Sequence, residues 1–350
     1  MPRVSICIPA FSQVECLRRT LQSILQQDFH DYEIIVTDDS PDDSVATLVQ
    51  SMDFAGRMRF FKNIATLGSP ENWNEAVRRA TGDYIKILHH DDHLSRSDSL
   101  SRYVQALDER ADIDFAFSAS RGESAATNTY YHHRVSPEML TALQRDPAVT
   151  LFCGNIIGSP SATIYRRTVP VAFDNKMKWL VDVDFYIRVL QQNPLLTYIP
   201  EPLVNISTNA AHQVTAICRN NGYVDLPEHA RLFVKIFDHV SADPEVEYRW
   251  IKLFDQYDVD YLVDLVRYEA EPLPSDYFAV LLKWRRREKF VLRMGPKSQV
   301  ALPPFKRGER GPLRFIRRMS FFAGYAIYVH LPESAKMLWR RAKRRRGSAF

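Results

Sequence analysis

The sequence predicts an α/β fold, a mostly parallel sheet flanked by helices and followed by a helical, basic C-terminal extension. Three observations carry this. Short apolar, β-branched runs alternate with helical periodicity over the first 95 residues. Polar clusters fall at the ends of the strand runs. Residues 281–350 hold 20 Lys or Arg against 3 Asp or Glu, whereas residues 1–280 hold 26 against 39, so the two ends face different partners. With 350 residues, 45% of them hydrophobic, the chain can build one large core or two smaller ones.

The opening run "VSICIP" is β-branched and apolar, and "ECLRRTLQSILQQ" follows with Leu17, Leu21, Ile24 and Leu25 at helical spacing. The rhythm continues through "YEIIVTDDS" (strand), "SVATLVQSM" (helix), "MRFFKN" (strand), "NWNEAVRRA" (helix) and "DYIKILHHDD" (strand). Such alternation implies right-handed crossovers and parallel pairing. From about residue 96 the pattern loosens into a strand in "DIDFAFSAS", a variable loop at 120–135, a turn and strand in "GNIIGSPSATIYRR", and a helix in "VDVDFYIRVLQQN". From about 226 the chain reads as helical, in "PEHARLFVKIFDHV" and over 245–269.

In open sheets of this kind ligands bind beyond the carboxyl ends of the strands. The clusters Pro9-Ala10-Phe11, Asp38-Asp39-Ser40 and His89 to His93 fall there and are expected to share one crevice. The turn "PAFSQVE" has no glycine, which excludes both the dinucleotide loop GxGxxG and the phosphate loop GxxxxGK[ST]. Cys7, Cys16, Cys153 and Cys218 have no paired spacing, so neither a zinc site nor a disulfide framework is indicated and a reducing compartment is expected. A strand pattern beginning at Arg3 leaves no room for a secretory leader, pointing to the cytoplasm.

Adjacent carboxylates at a buried strand end repel each other unless a cation or hydrogen-bond donors lie between them. Asp91 and Asp92 therefore suit a Mg2+ or Mn2+ ion shared with a diphosphate, while the alternative is a solvated turn capping the next helix. Asp38 and Asp39 are either turn formers or acceptors for the N–H edge of a pyrimidine. His89, His90 and His93 lack the spacing of a helical metal motif and are expected in the pocket wall or at the surface. Asn72, Trp73 and Asn74 read as a helix start and packing anchor, with Asn74 also able to orient a donor.

The run "VSICIPAFSQVECLRRTLQSILQQDFHDYEIIVTDDSPDDS" resembles the opening of inverting family 2 glycosyltransferases with the GT-A fold. "ATGDYIKILHHDD" resembles their donor-site strand and DXD-like metal motif, and "GNIIGSPSATIYRR" and "WLVDVDFYIRVL" resemble the acceptor-half segments of bacterial members, so the likeness covers about residues 3–215. It implies that Pro9 and Phe11 line the nucleotide pocket, that Asp39 contacts the base, that Asp91 approaches the ribose or diphosphate, and that Asp92 binds the metal, Mn2+ or Mg2+. The catalytic base falls at Asp182. The Glu that usually precedes it is Val181 here, which leaves Asp184 as the alternate. His212 in "NAAHQVT" matches a residue near the metal or diphosphate. Either Asp182 or Asp184 could instead cap the helix.

Sugar transfer from a nucleotide diphosphate needs stabilisation of the leaving phosphate and one base for the acceptor hydroxyl. A single base implies inversion, since a retaining route through a covalent intermediate needs a nucleophile that the sequence does not nominate. The expected activity is transfer from a UDP-sugar to a glycan or lipid-linked oligosaccharide of a surface polysaccharide. A nucleotidyltransferase, which would want a glycine-rich basic loop after the first strand, and a non-catalytic sugar-nucleotide-binding module are the competitors.

Segments 281–293 and 312–346 interleave Arg and Lys with aromatic and aliphatic residues. Their longest apolar stretch, "MSFFAGYAIYVHL", is shorter than the about 20 residues a spanning helix needs. An interfacial helix with a polybasic tail, drawn to anionic lipid by about 1 kcal/mol per basic residue, places the protein peripherally on the inner face of the plasma membrane. Nucleic acid is the less favoured partner. The expected organisation is a catalytic domain over 1–225 (donor half about 1–95, acceptor half about 96–225), a helical region over 226–290, and a basic amphipathic tail over 291–350.

Overall fold

A computed structural model describes residues 1–281 apart from 125, 126, 128, 209–212, 272 and 280. The expected basic tail and His212 lie outside the described residues. The chain runs β1 (Val4–Ala10), α1 (Val14–Leu25), β2 (Tyr32–Asp38), α2 (Ser44–Gln50), β3 (Met58–Lys62), α3 (Glu71–Arg78), β4 (Tyr84–Ile87), β5 (His93–Leu94) and α4 (Ser99–Asp108). It continues with β6 (Phe115–Ser124), β7 (Thr129–His133), α5 (Pro137–Arg145), α6 (Pro147–Cys153), β8 (Thr163–Arg166), α7 (Val181–Gln192), β9 (Leu196–Ser207), α8 (Val214–Cys218), α9 (Gly222–Val240), α10 (Pro244–Gln256) and α11 (Leu262–Arg267).

The strands form one sheet in the order β3-β2-β1-β4-β8-β6-β9-β5, with β7 added on β6. The first four are parallel, as the alternation implies. β8 then runs antiparallel to both β4 and β6, and β6 returns to parallel pairing with β9. β1 and β2 are buried along their whole length, which explains why they read as continuous apolar runs rather than alternating ones. Leu17, Leu21 and Ile24 turn the apolar stripe of α1 onto them. Gly82 admits no side chain, because a Cβ there would stand 2.8 Å from the Ser5 nitrogen, and this lets β4 start flush against β1.

The order reverses direction at β1, with β2 and β3 on one side and β4 on the other, so the crevice beyond the ends of β1 and β4 is the switch point where such sheets bind ligands. Later elements differ from the looser sequence pattern. The segment expected as a loop at 120–135 instead extends β6 to Ser124 and adds β7, and residues 196–207 form the long strand β9.

The chain divides into two compact units after Val246, and α9 lies in the first. There Phe233 of α9 packs on Phe152 of α6 with ring centroids 5.8 Å apart. The second unit, from Glu247, buries Trp250, Phe254 and Phe278 against one another. Among the described residues no helix is long and apolar enough to cross a membrane.

Candidate active site

β4 stops at Ile87, and the chain leaves the sheet to form the His89–Asp92 turn before β5. His90 Nδ1 donates to the Pro9 carbonyl at 3.1 Å, tying this turn to the end of β1. At the end of β1, beside the switch point, Pro9 is buried and Phe11 is 51% exposed. Ser12 and Gln13 adopt left-handed backbone angles (φ 53° and 49°), and this turn, without a glycine, starts α1 directly after the crevice.

Asp39 is buried at the end of β2. Its Oδ1 accepts from the Asn63 amide at 2.7 Å and from the Leu67 backbone at 3.0 Å, and its Oδ2 accepts from the Gly68 backbone at 2.8 Å. The carboxylate thus shapes the 63–68 loop beside the crevice. Asp38 is structural, paired with Lys62 at 2.9 Å. Asn72 bridges the carbonyls of Ala10 and Thr37, and Asn74 exchanges two hydrogen bonds with the Phe173 backbone, which commits its amide to packing rather than to a donor.

The acidic pair divides its surroundings unequally. Asp92 is 2% exposed, its Oδ1 accepts from the Ser207 backbone at 3.0 Å, and its Oδ2 lies 3.5 Å from Ser159 Oγ. Burial, then the charge of Asp91, pushes Asp92 well above the usual carboxylate range. Burial also acts upward on Asp91, but His90, His89 and the Gln213 amide together hold it below its ordinary value. Asp91 borders a cavity of about 170 Å3 lined also by Arg19, His93, Glu123, Tyr130 and Ser207. Of the two, Asp91 borders the cavity, while Asp92 is buried behind it and accepts from the Ser207 backbone.

Of the histidines, His93 lines the cavity. His89 leans on Trp73 with centroids 4.6 Å apart, and burial lowers its pKa to about 4, keeping it neutral. His93 stands 2.9 Å from the Asn205 amide.

Beneath the turn, Lys86 is wholly buried in β4. Its ammonium donates to the carbonyls of Ser161 and Thr163 and lies 4.4 Å from the Tyr103 ring centre. Burial lowers its pKa to about 7. The sequence signal for it was a cation inside the apolar run "YIKIL", a violation of pattern that often marks a working site.

Asp182 lies in the first turn of α7 and is half-buried. Asn155 Nδ2 donates to its Oδ2 at 2.8 Å, and the Val183 backbone donates to its Oδ1 at 2.8 Å. Burial pushes its pKa up to about 7 despite these donors. Asp184 has no exposed surface and is bound by Arg188 and Lys235, each at 2.5 Å, so the alternate base is locked in ion pairs.

The segment from Asn155 to Ser161 joins the two ends of the site. Asn155 holds Asp182, Ser159 faces Asp92, and Ser161 Oγ accepts from the His89 backbone at 2.9 Å. One short segment thus touches both acidic sites, its two contact residues at most about 14 Å apart. Asn155, Ser159 and Lys86 were not singled out from the sequence, nor was Glu228, whose carboxylate receives the backbone N–H groups of Lys178, Trp179 and Leu180.

Residues 5–170 match the family model described as Glycosyl transferase family 2. Over 209 residues the chain is 31% identical to an uncharacterized glycosyltransferase of Methanocaldococcus jannaschii, covering 58% of this chain and 70% of that protein. It is 34% identical over 111 residues to the GalNAc(5)-diNAcBac-PP-undecaprenol beta-1,3-glucosyltransferase of Campylobacter jejuni, covering 31% of this chain and 36% of that one. The crystal structure of S. aureus TarS residues 1–349 in complex with UDP-GlcNAc superposes with a TM-score of 0.56 at 15% identity, covering 89% of this chain and 98% of that one, a likeness of fold. The chain belongs to the family 2 glycosyltransferases, and its sheet and helices have the GT-A arrangement.

Proposed function

We propose that the protein transfers a sugar, with inversion, from a UDP-sugar to a hydroxyl of a glycan or lipid-linked oligosaccharide in surface polysaccharide assembly, in a metal-dependent reaction. The observation that carries this is Asp182: a half-buried carboxylate at a helix start, oriented by Asn155, with its pKa pushed up to about 7. A base with that value is part ionised at neutral pH and strong enough to take a proton from an attacking hydroxyl. The ion pairs that hold Asp184 leave Asp182 as the base of the two, and a single base favours a single displacement.

The donor end supports the same reading. Pro9, Phe11 and the loop ordered by Asp39 would frame a nucleotide at the switch point, and Asp91, on the turn that His90 ties to Pro9, would approach its diphosphate. Among the described residues no three or more His, Cys, Asp or Glu side chains group to hold a metal ion. A Mg2+ or Mn2+ ion shared with a diphosphate asks for only one or two carboxylates, a demand that Asp91, held ionised, fits, with Asp92 behind it. Such an ion supplies charge neutralisation on the departing phosphate. His212 is proposed to join this end of the site.

The UDP-GlcNAc bound by the TarS fragment and the undecaprenol-linked acceptor of the Campylobacter enzyme support the donor and acceptor classes. The basic composition of 281–350 supports docking of a cytoplasmic enzyme on anionic lipid, with sugar nucleotide and lipid-linked glycan as partners.

The test is nucleotide-sugar binding and hydrolysis across UDP-, GDP- and TDP-sugars, with and without Mn2+, for wild type and Asp182→Asn. Metal-dependent binding in both proteins with turnover only in wild type is the expected result. No binding of any sugar nucleotide overturns the reading.

A further inference from the structure

We propose that Glu228 is a positioning residue for sugar transfer: from α9 its carboxylate fixes the start of α7 and thereby sets where the Asp182 carboxylate stands. The proposal rests on the reading of Asp182 as the base.

The first turn of α7 lacks a cap of its own, because its N-cap residue is Leu180, which offers no side-chain acceptor. The missing acceptor arrives from 48 residues further along. Glu228 Oε1 accepts from the Lys178 backbone at 2.7 Å, and Oε2 accepts from Trp179 at 2.8 Å and Leu180 at 2.7 Å. Three amides converging on one buried carboxylate define its position closely. Asp182 follows two residues later, anchored to the amide of Val183 on one side and to Asn155 on the other. A shift of this turn would move the base against the acceptor.

The charge of Glu228 also reaches the base. Among the described residues no Lys or Arg forms an ion pair with Glu228, so it is balanced by the amide dipoles at the helix start. Its negative charge acts upward on Asp182. Among the described residues the other titratable groups acting near the pair are Tyr186 on α7, Asp225 on α9 with His229 beside it, Cys218 on α8 and Lys178 in the preceding loop. Neutralising Glu228 removes a like charge that acts on Asp182 and lets Asp182 ionise at lower pH.

The test compares full-length wild type, Glu228→Gln, Glu228→Ala and Asp182→Asn, using whichever sugar nucleotide of the panel the wild type turns over fastest, with UDP and Mn2+ as the binding probe. Glu228→Ala is expected to lower kcat about a hundredfold, and the isosteric Glu228→Gln about tenfold, with UDP affinity within about twofold of wild type. In Glu228→Gln the acidic limb of the rate profile moves to lower pH. An unmoved limb, or a loss of UDP affinity as large as the loss of kcat, assigns Glu228 a purely structural part and overturns the proposal. Inactive Asp182→Asn beside wild-type behaviour in both Glu228 variants overturns this proposal alone. Full activity in Asp182→Asn, or no turnover by wild type, overturns the reading of the base and this proposal with it.

Discussion

Asn155 Nδ2 donates to Asp182 Oδ2 at 2.8 Å, and it does so from the same short segment whose Ser159 faces Asp92. The candidate base is thus oriented by the loop that also touches the acidic turn after β4.

Because burial pushes Asp182 up to about 7, activity should rise as pH increases through about 7 and the base loses its proton. The Asn155 amide favours the ionised form. Asn155→Ala is therefore expected to move this limb to higher pH, opposite to Glu228→Gln, and to lower kcat about tenfold, from a charge-assisted hydrogen bond of about 1.5 kcal/mol. The pH dependence of kcat/KM checks both signs.

Asp184 predicts a different phenotype from its neighbour two residues away. Asp184→Ala leaves Arg188 and Lys235 without their buried partner, and unfolding free energy should fall by about 3 kcal/mol. Urea denaturation reads this loss, and the folded fraction should keep its affinity for UDP. A fold as stable as wild type with no turnover would instead make Asp184 the base.

The two acids of the donor turn should separate cleanly. Asp91→Asn is expected to weaken Mn2+-dependent UDP binding about tenfold or more while leaving the melting temperature near wild type. Asp92→Ala deprives the part-buried Ser207 amide of its acceptor and should cost about 1–3 kcal/mol of stability. Asp92→Asn, which mimics the protonated carboxyl that burial favours, should be milder. Calorimetry of UDP binding alongside thermal melting distinguishes the three.

Lys86 carries a signature in stability against pH. Burial lowers its pKa to about 7 in the folded chain, against about 10.4 when unfolded, so between these values the unfolded chain binds more protons. Its burdening effect on the fold is full below pH 7 and fades as pH rises toward 10. The stability of wild type minus that of Lys86→Met should therefore grow with pH across this window, by up to about 1.4 kcal/mol per unit. Urea midpoints at pH 7, 8 and 9 measure it, and parallel trends in the two proteins would show that Lys86 does not titrate there.

The parallel half of the sheet was legible because its signals are local: continuous apolar runs, helical spacing between them, and acids at the strand ends. β9 was not, because Pro200 and Pro202 argue against a strand. The ladder accommodates them by a break in register, where Ser118 pairs Ile199 and Ala119 pairs Pro202. Arg121 and Glu123 give β6 a polar tip that reads as loop, yet pairing on both sides keeps it extended. In α4, Leu100, Tyr103, Val104 and Leu107 do carry helical spacing, so the looser reading beyond residue 96 left usable signal behind.

The site divides in the same way. Pro9, Asp39, Asp91, Asp92 and Asp182 sit in recognisable segments. Asn155 and Glu228 act on partners 27 and 48 residues or more away, a relationship that only tertiary structure creates. The resemblance assigns the metal to Asp92, but which of the two neighbouring carboxylates is buried on the Ser207 amide and which borders the cavity is set by tertiary packing.

The pairing of β4 with β8 and of β5 with β9 has a consequence for how such a protein can be cut or recombined. A fragment ending near residue 95 would leave the β4 edge bare and β5 without a neighbour, a template for aggregation rather than a nucleotide-binding module. The smallest piece able to stand alone must reach at least Ser207. New acceptor preferences therefore cannot be installed by transplanting everything after residue 95 as a cassette. They have to be written into the connecting loops of a sheet that both halves complete together.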